Sequence, residues 1–136
     1  MAISRTGGGG TSQAGQAIGA GLVIDTSKYL NRVLAIDPER RTARVEPGVV
    51  LDDLNAALTP HGVRFAPDVS SASRATVGGM IANNSSGARS VLYGKTIDHV
   101  LEQVVVLADG TQTHFRPVSQ QAELGLAVKF FHRLFH

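Results

Sequence analysis

Arg5-Thr-Gly-Gly-Gly-Gly-Thr-Ser-Gln-Ala-Gly-Gln-Ala-Ile-Gly-Ala-Gly21 runs straight into Leu22-Val-Ile-Asp25. So dense a run of glycine reads as neither strand nor helix. A flexible linker would have this composition. So would a loop whose backbone must approach something closely. A linker would end in more polar sequence, whereas this one delivers the chain into a short buried-type strand, which favours a structured loop. Four consecutive glycines at 7–10 remove every Cβ, so successive N–H groups can turn inward as an anion-binding nest. Thr11 and Ser12 add hydroxyl donors. A pyrophosphate needs this combination of neutral donors and close backbone approach. No Gly-Lys-Ser/Thr follows, which excludes a P-loop. The Rossmann fingerprint wants a strand before the glycines, a helix straight after and an acid about 20 residues on. Here a β segment follows instead. On glycine content alone, phosphate binding and a plain surface loop both remain open.

Working outward, residues 66–95 are the second unusual stretch, rich in Gly, Ser and Asn without being low in complexity. A short helix is expected from Thr76, its cap, through Met80 and Ile81. Asn83 to Gly87 should end it. Thr76-Val-Gly-Gly79 would again offer backbone N–H groups to an anion. Asn83, Ser85 and Ser86 are neutral groups able to read a ribityl chain or a flavin edge. Each has a plainer reading: Gly78 and Gly79 as tight helix packing, Asn83 as a C-terminal cap. Two such regions in one small chain weaken the plain reading.

Between and beyond them the chain alternates strands with short helices. Val33-Leu-Ala-Ile36, a turn at Asp37-Pro-Glu39 and Thr42-Ala-Arg-Val-Glu46 form a β-hairpin. Leu51, Leu54 and Leu58 stand at helical spacing, with Asp52 and Asp53 in the first turn, where acids suit the helix dipole. Thr59-Pro-His-Gly62 ends that helix. Val104-Val-Val-Leu107 is a buried strand, Asp109-Gly110 a hairpin turn, and residues 111–115 the return. From about residue 119 the tail reads as helix, with Leu124, Ala127, Val128, Phe131, Leu134 and Phe135 on one face. Leu126 and Phe130 lie off it, so this tail expects more protein to pack against.

The 136 residues suffice for one modest domain, of ordinary apolar and charged content. Thirteen Lys and Arg against eleven Asp and Glu give no basic stripe for nucleic acid. The absence of cysteine excludes disulfides, thiolate zinc sites and cysteine-ligated iron–sulfur clusters within this chain. No apolar stretch reaches the ~20 residues of a membrane span. The first residues carry no apolar signal core, so a cytoplasmic location is expected. His132 and His136 are spaced i, i+4 without an evident third ligand, so no metal is expected. His61 reads as a solvated loop residue, His99 and His114 as structural. No Ser–His–Asp arrangement can be argued, and no catalytic residue is assigned.

Gly8-Gly-Gly-Thr-Ser12, Val45-Glu-Pro-Gly48, Pro67-Asp68, Thr76-Val-Gly-Gly79, Asn83 with Ser86-Gly87, Tyr93-Gly94 and Val106-Leu-Ala-Asp-Gly110 occur in order. In this the chain resembles the FAD-linked oxidase family, with its p-cresol methylhydroxylase or vanillyl-alcohol oxidase type of FAD domain. It looks most like the D-lactate, glycolate and D-2-hydroxyglutarate dehydrogenase branch. The match covers residues 3–115; each motif alone is weak and the ordered set is specific. Two departures stand out. Gly7 occupies the place where the family usually has arginine, and the likeness stops after Phe115.

The resemblance implies an α+β fold: residues 1–118 as part of that FAD domain, a mixed sheet with flanking helices, and 119–136 as a helical tail. It implies that Gly8, Gly9, Gly10, Thr11 and Ser12 hold the FAD pyrophosphate. Pro67 and Asp68 would lie beside the flavin and its phosphates. Thr76, Gly78, Gly79, Asn83, Ser86 and Gly87 would line the cofactor further along, with Val100 near the end of that set. Thr11 stands where covalent members carry a flavin-linking histidine, so FAD is expected to be non-covalent. The parent reaction would be hydride transfer from the carbinol carbon of a 2-hydroxy acid to flavin N5. Relatives place an α/β subdomain before the first glycine loop and a substrate domain after this stretch, so the chain reads as a fragment. Expected partners are FAD and either those missing domains or another chain. The alternatives are a non-catalytic domain remnant packed on a partner chain, and an oxidase of another alcohol such as a sugar lactone.

Overall fold

A computed structural model describes residues 4–15, 17–107, 109–116 and 127–131. The core forms around one short helix. In α1 (Leu51–Leu58), Leu51, Leu54 and Leu58 fall on one face and are almost wholly buried. They pack with Val45, Val49, Phe65, Val77 and Met80. Asp52 and Asp53 occupy the exposed first turn, as expected from the helix dipole. Val50 supplies no side-chain cap. The orphan N–H groups of Leu51 and Asp52 instead donate to the carbonyls of Ala75 and Ala72, at 3.0 and 3.2 Å. Those carbonyls lie just before α2 (Val77–Ala82), so the starts of the two helices are tied together.

Beside this core lies a five-stranded mixed sheet. Strands β3 (Val33–Asp37) and β4 (Thr42–Val45) form the expected antiparallel hairpin. Strands β5 (Val100–Val106) and β6 (Gln112–Phe115) form a second, across the turn containing Asp109 and Gly110. Ala43, Val45, Val104 and Val105 are the buried residues of these strands. A separate parallel pair, β1 (Ser4–Gly7) and β2 (Leu22–Asp25), flanks the glycine loop in sequence. A four-residue turn, α3 (Ser90–Tyr93), precedes a 3₁₀ turn at Thr96–His99 that leads into β5.

The α+β class expected from the sequence is the observed one, with several differences; Leu107, expected to end a buried strand, lies just past β5 and is 41% exposed. Ser4–Gly7 is a strand, although residues 1–21 read as neither strand nor helix; pairing with β2 supplies what local propensity does not. Leu22 and Val23 do form a strand but are 59% and 54% exposed rather than buried. Neighbouring strand residues face opposite ways, so both faces of β2 are open. Ala127–Phe131, expected to be helical, is strand β7, parallel to both β4 and β5 and lying between them. A short apolar run fits either period, and two open parallel edges decide it for a strand. The other tail positions of that apolar pattern, Leu124, Leu126, Leu134 and Phe135, lie outside the described residues.

One buried charge fixes the turn between the hairpin and α1. Glu46 is 6% exposed. Its carboxylate accepts from the Arg32 backbone N–H at 2.8 Å and from the Arg32 guanidinium at 2.8 and 3.2 Å. The Glu46 N–H returns a bond to the Arg32 carbonyl, and Gly48 N–H donates to Leu30. The Arg32 side-chain hydrogen bond holds the Glu46 carboxyl below its ordinary value of 4.5, against burial, which pushes it up. The ionised carboxylate therefore contributes stability that is complete above that ordinary value and lost as pH falls through the lower folded one. Urea unfolding should show Glu46→Gln less stable than the parent by about 1 kcal/mol at neutral pH, since the partner guanidinium is largely in water. The gap should close as the pH drops below about 4. A gap independent of pH would mean that the charge is not what stabilises the turn.

Candidate functional site

The two glycine-rich stretches meet. A Cβ added to Gly8 would collide with the Thr76 hydroxyl, and one added to Gly9 with the Arg74 carbonyl. The loop after β1 thus lies backbone to backbone on the approach to α2, a contact open only to glycine. Beyond the contact the loop is exposed. Gly10 takes a left-handed φ of +63° with nothing within 4 Å of its Cβ position, and Thr11 and Ser12 are exposed. Among the described residues, no hydrogen bond within the chain uses the N–H of Gly9, Gly10 or Thr11. Three successive unspent donors on an exposed turn are what an oxyanion nest requires.

The start of α2 behaves differently from the expectation. Thr76 is its cap, the hydroxyl accepting from Gly79 N–H at 3.4 Å, and Asn83 ends it. Yet the Val77 N–H donates to the Val49 carbonyl and the Gly78 N–H to the Pro47 carbonyl, both at 2.8 Å. These donors bind the chain's own backbone and are not offered to an anion. The Val45-Glu-Pro-Gly48 stretch is therefore a scaffold for α2. Gly79 alone of this group is exposed, with only the Thr76 hydroxyl near its Cβ position.

A second close approach organises the far side. A Cβ on Gly87 would overlap the Asp68 carbonyl, so the segment after α2 is pressed onto the backbone of Asp68 and Val69. Arg89 reaches back to Asp68, Nε to Oδ2 3.4 Å. Asn83 Nδ2 donates to Ser85 Oγ at 3.2 Å, and Asn83 and Ser86 are exposed. The loop is pinned from below: the Ser85 carbonyl accepts from Thr96 N–H and Oγ1, and Asn84 Oδ1 accepts from Ile97 N–H. Val100 is half-buried and packs against the core. Two groups thus form, Gly8 and Gly9 on Arg74 and Thr76, and Gly87 and Arg89 on Asp68, while Val100 belongs to the core packing. The roles of Asn84 and Arg89 escaped the sequence reading. A cluster of Asn, Ser and Gly gives no sign of which side chain will point back into its own fold.

The remaining polar groups do structural work. His99 is buried, its Nε2 donating to the Tyr93 carbonyl at 2.6 Å and its ring edge-on to Phe65 at 5.5 Å. His114 lies 3.6 Å from Glu102 and accepts from Arg116. His61 is exposed in a turn. Among the described residues no three His, Cys, Asp or Glu come together as metal ligands, and no helix is long and apolar enough to cross a membrane. His132 and His136 lie outside the described residues.

Residues 4–116 match the model of a family described as FAD binding domain. The chain is 50% identical over 115 residues to a D-2-hydroxyglutarate dehydrogenase of Pseudomonas putida, covering 85% of this chain and 11% of that protein. It is 42% identical over 105 residues to a D-lactate dehydrogenase of Archaeoglobus fulgidus, covering 76% of this chain and 23% of that one. An alkyldihydroxyacetonephosphate synthase structure superposes with a TM-score of 0.75 at 26% identity, over 92% of this chain and 26% of its own. The chain thus spans less than a quarter of the length of these two enzymes.

The two close approaches make separable predictions. Gly87→Ala should lower the unfolding free energy in urea by about 1–3 kcal/mol, because its Cβ meets backbone that cannot swing aside. Gly9→Ala should lift the loop off Arg74, and limited proteolysis should then cut within residues 8–21 several times faster. Unchanged stability in the first variant and unchanged cleavage in the second would show that the contacts are not tight.

Proposed function

We propose, from the premise that this chain belongs to the FAD-binding domain family, that it is the cofactor-holding part of a flavin-dependent dehydrogenase of a 2-hydroxy acid. FAD is the cofactor of this domain. The observation that carries the assignment of its site is the unspent donor set at Gly9, Gly10 and Thr11, on an exposed turn whose start leans on Arg74 and Thr76. The pyrophosphate is assigned to residues 8–12, where neutral N–H groups meet its charge without a lysine. Pro67, Asp68, Gly79, Asn83, Ser86 and Gly87 are assigned to the remainder of the cofactor. Thr76 and Gly78 act by positioning α2, and Val100 by packing under it.

The substrate class comes from the relatives, which are named for oxidising D-2-hydroxyglutarate and D-lactate. FAD, when bound, would accept the hydrogen of the carbinol carbon with its electron pair. The hydroxyl proton leaves separately and a 2-oxo acid remains. The chain's own part is to hold and orient the cofactor. Thr11, an alcohol, has no imidazole to bond the flavin, so the proposed attachment is non-covalent. A cytoplasmic location belongs to the same proposal.

A second reading has its own support. Leu22 and Val23 on β2 and Val91, Leu92 and Ile97 around α3 are strongly exposed apolar side chains. They fit a domain that packs on further polypeptide, either the rest of a longer chain or a partner, with or without catalysis. Two measurements decide. The purified chain mixed with FAD should carry flavin absorbance through gel filtration, and acid precipitation should release the flavin to the supernatant. Gly9→Ala should elute without flavin. Failure to retain flavin even at high FAD would remove the cofactor assignment, and flavin in the pellet would overturn the non-covalent one. A folded, flavin-free, monodisperse monomer in sedimentation would count against the packing reading.

A further inference from the structure

Side-chain packing does not hold the turn of α3. None of its four residues is buried, and Val91 and Leu92 are strongly exposed. A single turn is also too short to persist on its own hydrogen bonds. Its place is therefore set by polar contacts at its two ends. At the start, Ser90 Oγ accepts from the Gly87 N–H at 2.9 Å, and the Ser90 N–H donates to the Gly87 carbonyl at 3.0 Å. At the end, the Tyr93 carbonyl is one of the acceptors that a helix C-terminus leaves without a partner in the helix. His99 supplies the donor, with Nε2 2.6 Å from that oxygen.

His99 has a second link. It is buried, and its ring stands edge-on to Phe65, with 5.5 Å between centroids and 66° between planes. Phe65 is fully buried, and its N–H donates to Asn55 Oδ1 of α1 at 2.8 Å. Pro67 and Asp68 follow directly after Ala66. The two links end in the same place. One runs from His99 through Tyr93, Ser90 and Gly87, and Gly87 lies against the backbone of Asp68. The other runs from His99 through Phe65 and along the chain to Asp68. The second ring nitrogen shows which link needs a histidine. Nδ1 is buried with no hydrogen-bond partner among the described residues, and an unpaired buried polar atom costs free energy. Phenylalanine would pack on Phe65 without that cost, but it could not donate to Tyr93.

We propose that His99 is a positioning residue for the cofactor, holding through Tyr93 the segment of Asn83, Ser86 and Gly87 in the shape that receives FAD. This rests on the functional reading above, which assigns those three residues to FAD. The 3₁₀ turn of His99 acts as a clamp with two jaws. Thr96 and Ile97 hold Ser85 and Asn84 at one end of the segment, and His99 holds Tyr93 at the other. Without the His99 bond the segment spends part of its time elsewhere, and the apparent affinity falls with the fraction that stays competent. The glycine loop leans on Arg74 and Thr76, outside the clamp. Loss of the bond therefore weakens the grip on FAD and spares the grip on its pyrophosphate.

The test compares two variants of the full chain. His99→Phe keeps a ring against Phe65 and removes the donor, whereas His99→Gln keeps an N–H near the place of Nε2 and removes the ring. FAD affinity is read from the quenching of flavin fluorescence. Binding of inorganic pyrophosphate is read from the ¹⁵N-amide signals of Gly9, Gly10 and Thr11. His99→Phe should bind FAD about tenfold more weakly, the size of one lost hydrogen bond, and should bind pyrophosphate as the parent does. His99→Gln should restore most of the FAD affinity. Parental FAD affinity in His99→Phe overturns the proposal. Equal weakening of FAD and pyrophosphate overturns it too, as a general loss of structure. So does His99→Gln as weak as His99→Phe, which gives the role to the ring. If His99→Phe does not fold, Ser90→Ala cuts the same route at a half-buried residue; it should weaken FAD and spare pyrophosphate, and parental FAD affinity there overturns the proposal. A parent that binds no FAD sinks the functional reading, and amide hydrogen exchange then decides the clamp alone. Leu92, Tyr93 and Gly94 should exchange faster in His99→Phe while Leu54 of α1 keeps its rate, and parental exchange at all three overturns the clamp.

Discussion

Gly8 and Gly9 rest on Thr76 and Arg74 with no room for a Cβ between them, and the site depends on that contact. A loop without side chains has nothing of its own with which to hold a position. It must be located by what it leans on. Thr76 is well placed for this, being 2% exposed and bridged to Val50 at the start of α1. Its hydroxyl caps α2 and touches Gly8 at once. The loop's place is thereby set by the helix, and the helix's by the Leu51, Leu54 and Leu58 core.

The same region shows a division of labour among backbone donors. At the start of α2 the N–H groups of Val77 and Gly78 go to Val49 and Pro47. This keeps the helix fixed against the turn that Arg32 and Glu46 lock in place. In the glycine loop the donors at Gly9, Gly10 and Thr11 stay open. Orphan N–H groups cost free energy when buried, so open ones are tolerable only at the surface, and residues 9–11 are exposed. An anion there gains donors that are not already engaged by the protein.

Local signals carried most of the reading from sequence. Thr76 as a cap, the leucine face of α1, the Asp37-Pro-Glu39 turn and the Asp109-Gly110 turn depend on near neighbours, and each took its expected form. What the sequence could not show was which distant backbone a residue would meet. The spent donors of Val77 and Gly78 are an example, because nothing in Thr76-Val-Gly-Gly79 announces Val49 and Pro47. Ala127–Phe131 is another. Its apolar spacing suits a helix, and the parallel edges of β4 and β5 make it a strand. The exposure of Leu22 and Val23 is a third, since strand propensity says nothing about what covers the strand.

That exposure bears on how the domain works. Parallel strands are ordinarily buried on both faces, yet among the described residues β1 and β2 pair only with each other and leave Leu22 and Val23 open. Val91, Leu92 and Ile97 are bare in the same way around α3. The first surface adjoins the glycine loop in sequence, and the second follows the segment of Gly87 and Arg89 that lies on Asp68. The core itself requires neither to be covered, because α1, α2 and the sheet close around their own leucines and valines. Protein packed on these two surfaces would therefore not be needed to set the relative places of the glycine loop and of the segment on Asp68, both of which lean on the backbone between residues 68 and 76. Its effect would be to exclude water beside them, which strengthens every charge-assisted contact within.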